Sequence, residues 1–195
     1  AIGMFALDSN TTADNNSAFG NGVLAANTTG TSNTAVGKNA LEANTTANNN
    51  TAVGKNALGA NTTGANNVAV GQEALAANTT AGNNTAVGRV ALDANTTGTA
   101  NVAVGTNALG TSTTASENTA VGNAALFATT TGADNVGIGA SALDSTTTGG
   151  ENTAIGHQAG HNLTTGVNNT LLGHEAGTDA VANVVASNGN IVIGN

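Results

Sequence analysis

The chain has no cysteine, so no disulfide framework can hold it together. It also lacks tryptophan and tyrosine, and Phe5, Phe19 and Phe127 are its only aromatics. Alanine, valine and leucine are left to build any core, which must therefore be thin. Cations are nearly absent: Lys38, Lys55 and Arg89 stand against a formal net charge of −8. Nucleic acid is not an expected partner, because phosphate binding needs clustered cations; anionic membrane surfaces are disfavoured for the same reason. No apolar run is long enough to span a bilayer, so direct membrane insertion is not expected, and no secretory signal stands in this stretch. Residues this sparse single out no Ser-His-Asp or paired-carboxylate arrangement, and an enzyme is not expected.

What is present is a period. Glycine returns every seventeen residues at Gly3, Gly20, Gly37, Gly54, Gly71, Gly88, Gly105, Gly122, Gly139, Gly156 and Gly173, without insertion or deletion. Such regularity is the mark of a stacked solenoid, in which each unit repeats the contacts of the one beneath it. Alanine, or valine once, stands three positions after the glycine, and leucine follows as Leu41, Leu58 and Leu75 in successive units. Paired threonines come eight and nine positions after it, from Thr11-Thr12 to Thr164-Thr165. Asparagine comes thirteen after it, as in Asn33, Asn50 and Asn67, before a block such as Val68-Ala69-Val70 that leads into the next glycine.

A helix does not fit, because each unit carries Gly, Thr and Asn, and its apolar residues never run i, i+3, i+4, i+7. The Val68-Ala69-Val70 block alternates as a strand does. Thr-Thr is a second candidate strand, since β-branched residues suit a pleated surface. The Gly, Ala, Asn and Asp residues between them are turn residues. The expectation is an all-β parallel solenoid with two or three short strands in each seventeen-residue coil. Coils stack about 4.8 Å apart, giving a rod on the order of 50 Å long. Asn33, Asn50 and Asn67 are expected to pass amide hydrogen bonds between coils. Val36, Val53 and Val70 with the leucines are expected to form an apolar seam. Gly37, Gly54 and Gly71 mark either a left-handed backbone angle or a close approach. So thin a roll buries little apolar surface for its ordering cost, and association along the rod, most simply of three chains, is expected.

The closing block, Asn67-Val68-Ala69-Val70-Gly71 or Asn135-Val136-Gly137-Ile138-Gly139, resembles the head repeat of trimeric autotransporter adhesins of the YadA type. The fuller unit, Asn84-Thr85-Ala86-Val87-Gly88 with Ala91-Leu92 and Asn95-Thr96-Thr97-Gly98, is similar to repeats of bacterial surface proteins and phage tail fibres. Those fibres often end in an intramolecular chaperone of the endosialidase type. The resemblance spans about residues 1–173 and implies a left-handed parallel β-roll and a side-by-side homotrimer. It also implies an extracellular place, on a bacterial cell surface or a virion tail. The adhesin repeat is commonly shorter, and the extra residues are expected in the Asn-Thr-Thr-Gly corner. The implied function is a structural or adhesive fibre segment that meets a host-surface or matrix ligand through many repeated contacts. A passive spacer in a longer fibre is an alternative.

Other readings attach to particular columns. The threonine ladders suggest an ice-binding face, although adjacent strand residues point to opposite sides and such a face prefers outward threonines separated by one residue. His157 and His174 follow their glycines and should stack, with His161 on the coil of His157; together they are the residues able to hold a metal or an anion. The same column holds Lys38, Lys55 and Arg89 elsewhere, which reads as a solvated line, so neither a metal nor any cofactor is assigned. Calcium-binding rolls need an Asp in every unit, and this chain does not supply one. Asn-X-Thr triplets at Asn10, Asn27, Asn44, Asn61, Asn78 and Asn95 match a glycan acceptor pattern, but the repeat itself calls for Asn and Thr there.

Two units of organisation follow: regular repeats over 1–173 and an irregular terminal unit over 174–195. After Gly173 the next equivalent glycine is Gly194, twenty-one residues on. The insert around Thr178–Asn183 is expected to form a neck rather than a cap, because the strand block returns as Ile191-Val192-Ile193. Leu163, Leu171 and Leu172 are expected to enlarge the seam near this end. The chain opens at Ala1-Ile2-Gly3 in mid-unit, and is expected to be a segment of something longer or a processed product.

Overall fold

A computed structural model describes residues 1–178 and 186–194. Among these residues every regular element is a three-residue strand: β1 (Ser17–Phe19), β2 (Thr34–Val36), β3 (Thr51–Val53), β4 (Val68–Val70), β5 (Thr85–Val87) and β6 (Val102–Val104). There follow β7 (Thr119–Val121), β8 (Val136–Ile138), β9 (Thr153–Ile155), β10 (Thr170–Leu172) and β11 (Ile191–Ile193). They form one 11-stranded sheet in strict chain order. Each pair is parallel, with Thr34 opposite Thr51, Ala35 opposite Ala52 and Val36 opposite Val53. The chain is a parallel β-solenoid whose coil is the seventeen-residue repeat.

One strand per coil, rather than two or three, is the first correction to the sequence reading. The Thr-Thr pairs lie in bends, not in a second strand. The coil nevertheless hydrogen-bonds to its neighbours beyond the strand, through Leu41 N–H to Ala57 O (3.1 Å), Ala43 N–H to Gly59 O (3.1 Å) and Thr45 N–H to Thr62 O (3.1 Å). Tight corners explain how these bonds coexist with so little strand. In one coil Asn39, Leu41 and Asn49 take φ of 58°, 51° and 61°, and Gly37 takes 121°. Left-handed residues reverse the chain sharply enough to close a loop in seventeen residues, and asparagine tolerates that region better than most side chains. Leucine does not, so its recurrence there is imposed by packing.

The core explains the leucine. Ala35, Ala40 and Leu41 have no exposed surface, and the same triad recurs along the rod. In a three-residue strand the middle side chain points opposite to the outer two. The middle one here is Ala, and it points inward, which corrects the valine seam: Val36, Val53 and Val70 face outward and are about a third exposed, at 37%, 36% and 36%. The interior has no room for them. At Gly137, where this middle alanine is missing, an added Cβ would lie 3.1 Å from Leu126 Cγ and 3.2 Å from Ala142 O. Leu171 joins the core, whereas Leu172 faces out at 45% exposure. Leu171 replaces the strand alanine because Gly160 has replaced the leucine of its own coil. A Cβ on Gly160 would meet Leu143 Cδ2 and Leu171 Cδ1, both at 2.7 Å. Leu163 is fully buried in the same coil, so two leucines supplied from other columns fill the space the missing one leaves.

The period survives the four-residue lengthening near the end. Thr170 pairs with Ile191 and Leu172 with Ile193, across twenty-one residues. Most of the insert expected to act as a neck, Thr178–Asn183, lies outside the described residues.

Candidate functional site: the ladders and the outward face

Both reasons offered for the glycine column apply. Gly37, Gly54 and Gly71 have φ of 121°, 138° and 138°, and an added Cβ on Gly37 would sit 2.7 Å from the Gly54 carbonyl oxygen. Stacked coils approach there backbone to backbone, so a side chain would force them apart.

Asn33, Asn50 and Asn67 form the expected ladder, buried along its length. The backbone N–H of Asn50 donates to Asn33 Oδ1 (3.0 Å) and that of Asn67 to Asn50 Oδ1 (2.9 Å). Each Nδ2 meanwhile crosses the coil interior, Asn50 to Gly64 O (2.9 Å) and Asn67 to Ala81 O (2.9 Å). Every asparagine thus joins three parts of the rod. A second ladder was not recognised as one from the sequence, although its residues were noted as Asn-X-Thr triplets. Asn44 Nδ2 donates to Asn27 Oδ1 (2.8 Å), Asn61 Nδ2 to Asn44 Oδ1 (3.1 Å) and Asn78 Nδ2 to Asn61 Oδ1 (2.9 Å). Asn27, Asn44, Asn61, Asn78 and Asn95 are all fully buried, so their carboxamides serve the interior. The clue available in the sequence was that the triplet keeps phase with the glycine. Past Asn95 this ladder decays into Ser112 and Thr129, whose buried hydroxyls have no hydrogen-bond partner.

The threonine pairs divide their labour. The first of the pair, half-buried in most coils, stitches them together, as Thr45 Oγ1 donates to Thr62 O (3.2 Å) and Thr62 Oγ1 to Thr79 O (3.0 Å). The second, as in Thr46 and Thr63, is exposed. The paired column is therefore not a continuous face of free hydroxyls.

The strands carry a continuous face instead. Outward side chains form two parallel lines along the rod, separated by the buried alanines. One runs from Phe19 and Val36 through Ile138 and Ile155 to Leu172 and Ile193, and is apolar throughout. The other is mixed, running from Ser17 through threonines and valines that alternate from Thr51 to Thr153, then Thr170 and Ile191. Charge flanks this face. Lys38, Lys55 and Arg89 all occupy the position after the glycine, just C-terminal to their strands, whereas Glu117, Asp134 and Glu151 precede β7, β8 and β9 in consecutive coils and are exposed. No pocket opens among the described residues, and no helix among them is long and apolar enough to cross a membrane.

The three histidines do not come together. His157 and His174 stack as expected, with ring centroids 5.1 Å apart and an interplanar angle of 17°. His161 lies instead against Asp144, its Nδ1 2.5 Å from Oδ1. The Asp93 carboxyl is raised from its ordinary value, chiefly by burial, with nearby Glu73 adding to the effect. The chain matches no family model, no curated protein and no solved structure.

Proposed function

We propose that this solenoid is a non-catalytic fibre segment that lies side by side with two copies of itself and attaches to a host or matrix surface by repeated contacts. On this reading it is extracellular, on a bacterial cell surface or a virion tail. The observation that carries the proposal is the unbroken apolar line from Phe19 to Ile193 on the outward face. Monomeric soluble proteins seldom expose contiguous apolar area on that scale, and an identical chain in parallel register offers a matching line. Attachment then depends on the surfaces left outside the bundle, where weak contacts on many coils and three chains add through effective concentration.

The mass in solution tests the assembly. Light scattering coupled to size exclusion is expected to give three chains, and Val70→Lys combined with Val104→Lys is expected to give one. A folded wild-type monomer at all concentrations overturns the proposal. Removal of several whole coils separates attachment from mere spacing: an attaching rod loses avidity, a passive spacer keeps it.

A second reading has one observation in its favour. The outward Thr51 and Val53 stand two positions apart on a regular sheet, closer to the spacing an ice-binding face needs than the Thr-Thr column is. Such a face must be uncovered, so thermal hysteresis by a monomer would favour this reading over the bundle.

A further inference from the structure

We infer that His157, His174 and Glu175 form a surface site for a borderline divalent transition metal, Zn²⁺ or its neighbours Cu²⁺ and Ni²⁺. Each of the three offers one ligand atom, and these atoms all lie within 4.8 Å of one another. The donor set is two imidazole nitrogens and one carboxylate oxygen, which suits these ions rather than hard cations that prefer oxygen alone.

The backbone sets the geometry. Gly156 and Gly173, at φ 141° and 130°, place the two histidines at the same point of successive coils. Glu175 N–H donates to His157 O (2.8 Å) and Gly173 N–H to Ile155 O (2.9 Å), so the roots of the side chains are tied one coil apart. The rings already stack with nearly parallel planes. Glu175 takes a left-handed φ of 53°, and its Oε1 is 3.8 Å from His174 Nε2. A tetrahedral ion bound at about 2.1 Å holds its ligand atoms roughly 3.4 Å apart. Rotation of exposed rings covers the difference without moving the backbone. His157 and His174 are both exposed, which leaves the fourth position open to water. The preceding coil presents Ala140 and Ser141 at these positions, so no charge there competes with the ion. Two stacked histidines occur only here in the column that holds Lys38, Lys55 and Arg89 elsewhere. His161 stands outside the site because Asp144 occupies its Nδ1.

Titration with ZnCl₂, followed by calorimetry and by histidine ring resonances, tests the site. One ion per chain is expected, with His157 and His174 resonances shifting and those of His161 unmoved. His157→Ala and His174→Ala should each weaken binding at least tenfold, Glu175→Gln several-fold, and His161→Ala not at all. Binding should also weaken on acidification, because a protonated imidazole cannot ligate. The substituted side chains are at the surface, and circular dichroism checks that each variant retains the fold. Binding that survives either alanine substitution at 157 or 174, or that is lost with His161, overturns the inference, as does absence of binding at millimolar Zn²⁺.

Discussion

The buried asparagines of this rod each tie together neighbouring stretches of chain, and that makes their removal expensive. Asn67 accepts from the Asn84 N–H at 2.9 Å and donates to Ala81 O at 2.9 Å, both in the interior. Asn67→Ala leaves the buried Asn84 N–H unpaired and removes one of the two donors to Ala81 O, the other being Asn78 Nδ2, and should cost about 1–3 kcal/mol in urea unfolding. Thr63→Ala, in the same coil but exposed, should cost under about 1 kcal/mol. The opposite sign is expected where the second ladder decays. Thr129 Oγ1 is buried without a partner, so Thr129→Val should stabilise the chain by about 1 kcal/mol in the same assay. Asp93 gives a pH test. Its carboxyl is raised from its ordinary value by burial, so the fold favours the protonated form. That contribution is fully present below the unfolded carboxylate range and is lost as pH rises through the folded value. Asp93→Asn should therefore raise the melting temperature at pH 7, with the gain shrinking as pH falls below about 4.

A strand of three residues leaves the coil almost no freedom in what it buries. Ala69 is fully enclosed, while Val70 beside it faces out. Ala69→Val must push against the leucine column and should destabilise by about 1–3 kcal/mol. Val70→Thr keeps the shape of a β-branched outward residue and should leave the stability of the single chain nearly unchanged. Melting curves at low protein concentration compare the two without contributions from assembly. The strand was legible in the sequence because Val68-Ala69-Val70 alternates; the direction of that alternation was not. Hydrophobicity ranks valine as the core residue, and only the width of the coil, with Leu58 already inside it, makes alanine the inward choice. The Thr-Thr block misled for a related reason. β-branched residues favour strands, but here the pair sits beside a corner and Thr45 Oγ1 is spent on the backbone of the next coil.

Contacts in the rod pass only between neighbouring coils, so its stability should behave as a sum over units and interfaces. Removal of residues 71–87, one complete period, is expected to return β4 directly to the register of the following coil. The product should fold cooperatively with a modest drop in melting temperature. Removal of residues 71–79 breaks the phase of the glycine, asparagine and leucine columns together and should abolish folding, as read by circular dichroism. The histidines fit this logic: coil stacking brings His157 to His174 and His161 to Asp144, each pair seventeen residues apart.

The amino-acid order was sufficient to establish the coil length, the parallel stacking, the in-register asparagine ladder and the glycine contact line. Each follows from a strict period, since identical residues at identical spacing meet one another whatever the cross-section. The shape of that cross-section came only from the folded chain. Leucines in left-handed backbone, alanine inside and valine outside, and the pairing of His174 with Glu175 depend on closing a seventeen-residue loop around a space one leucine wide. Intrinsic preferences are worth a few tenths to about 1 kcal/mol per residue. In a coil this narrow, steric exclusion outweighs them.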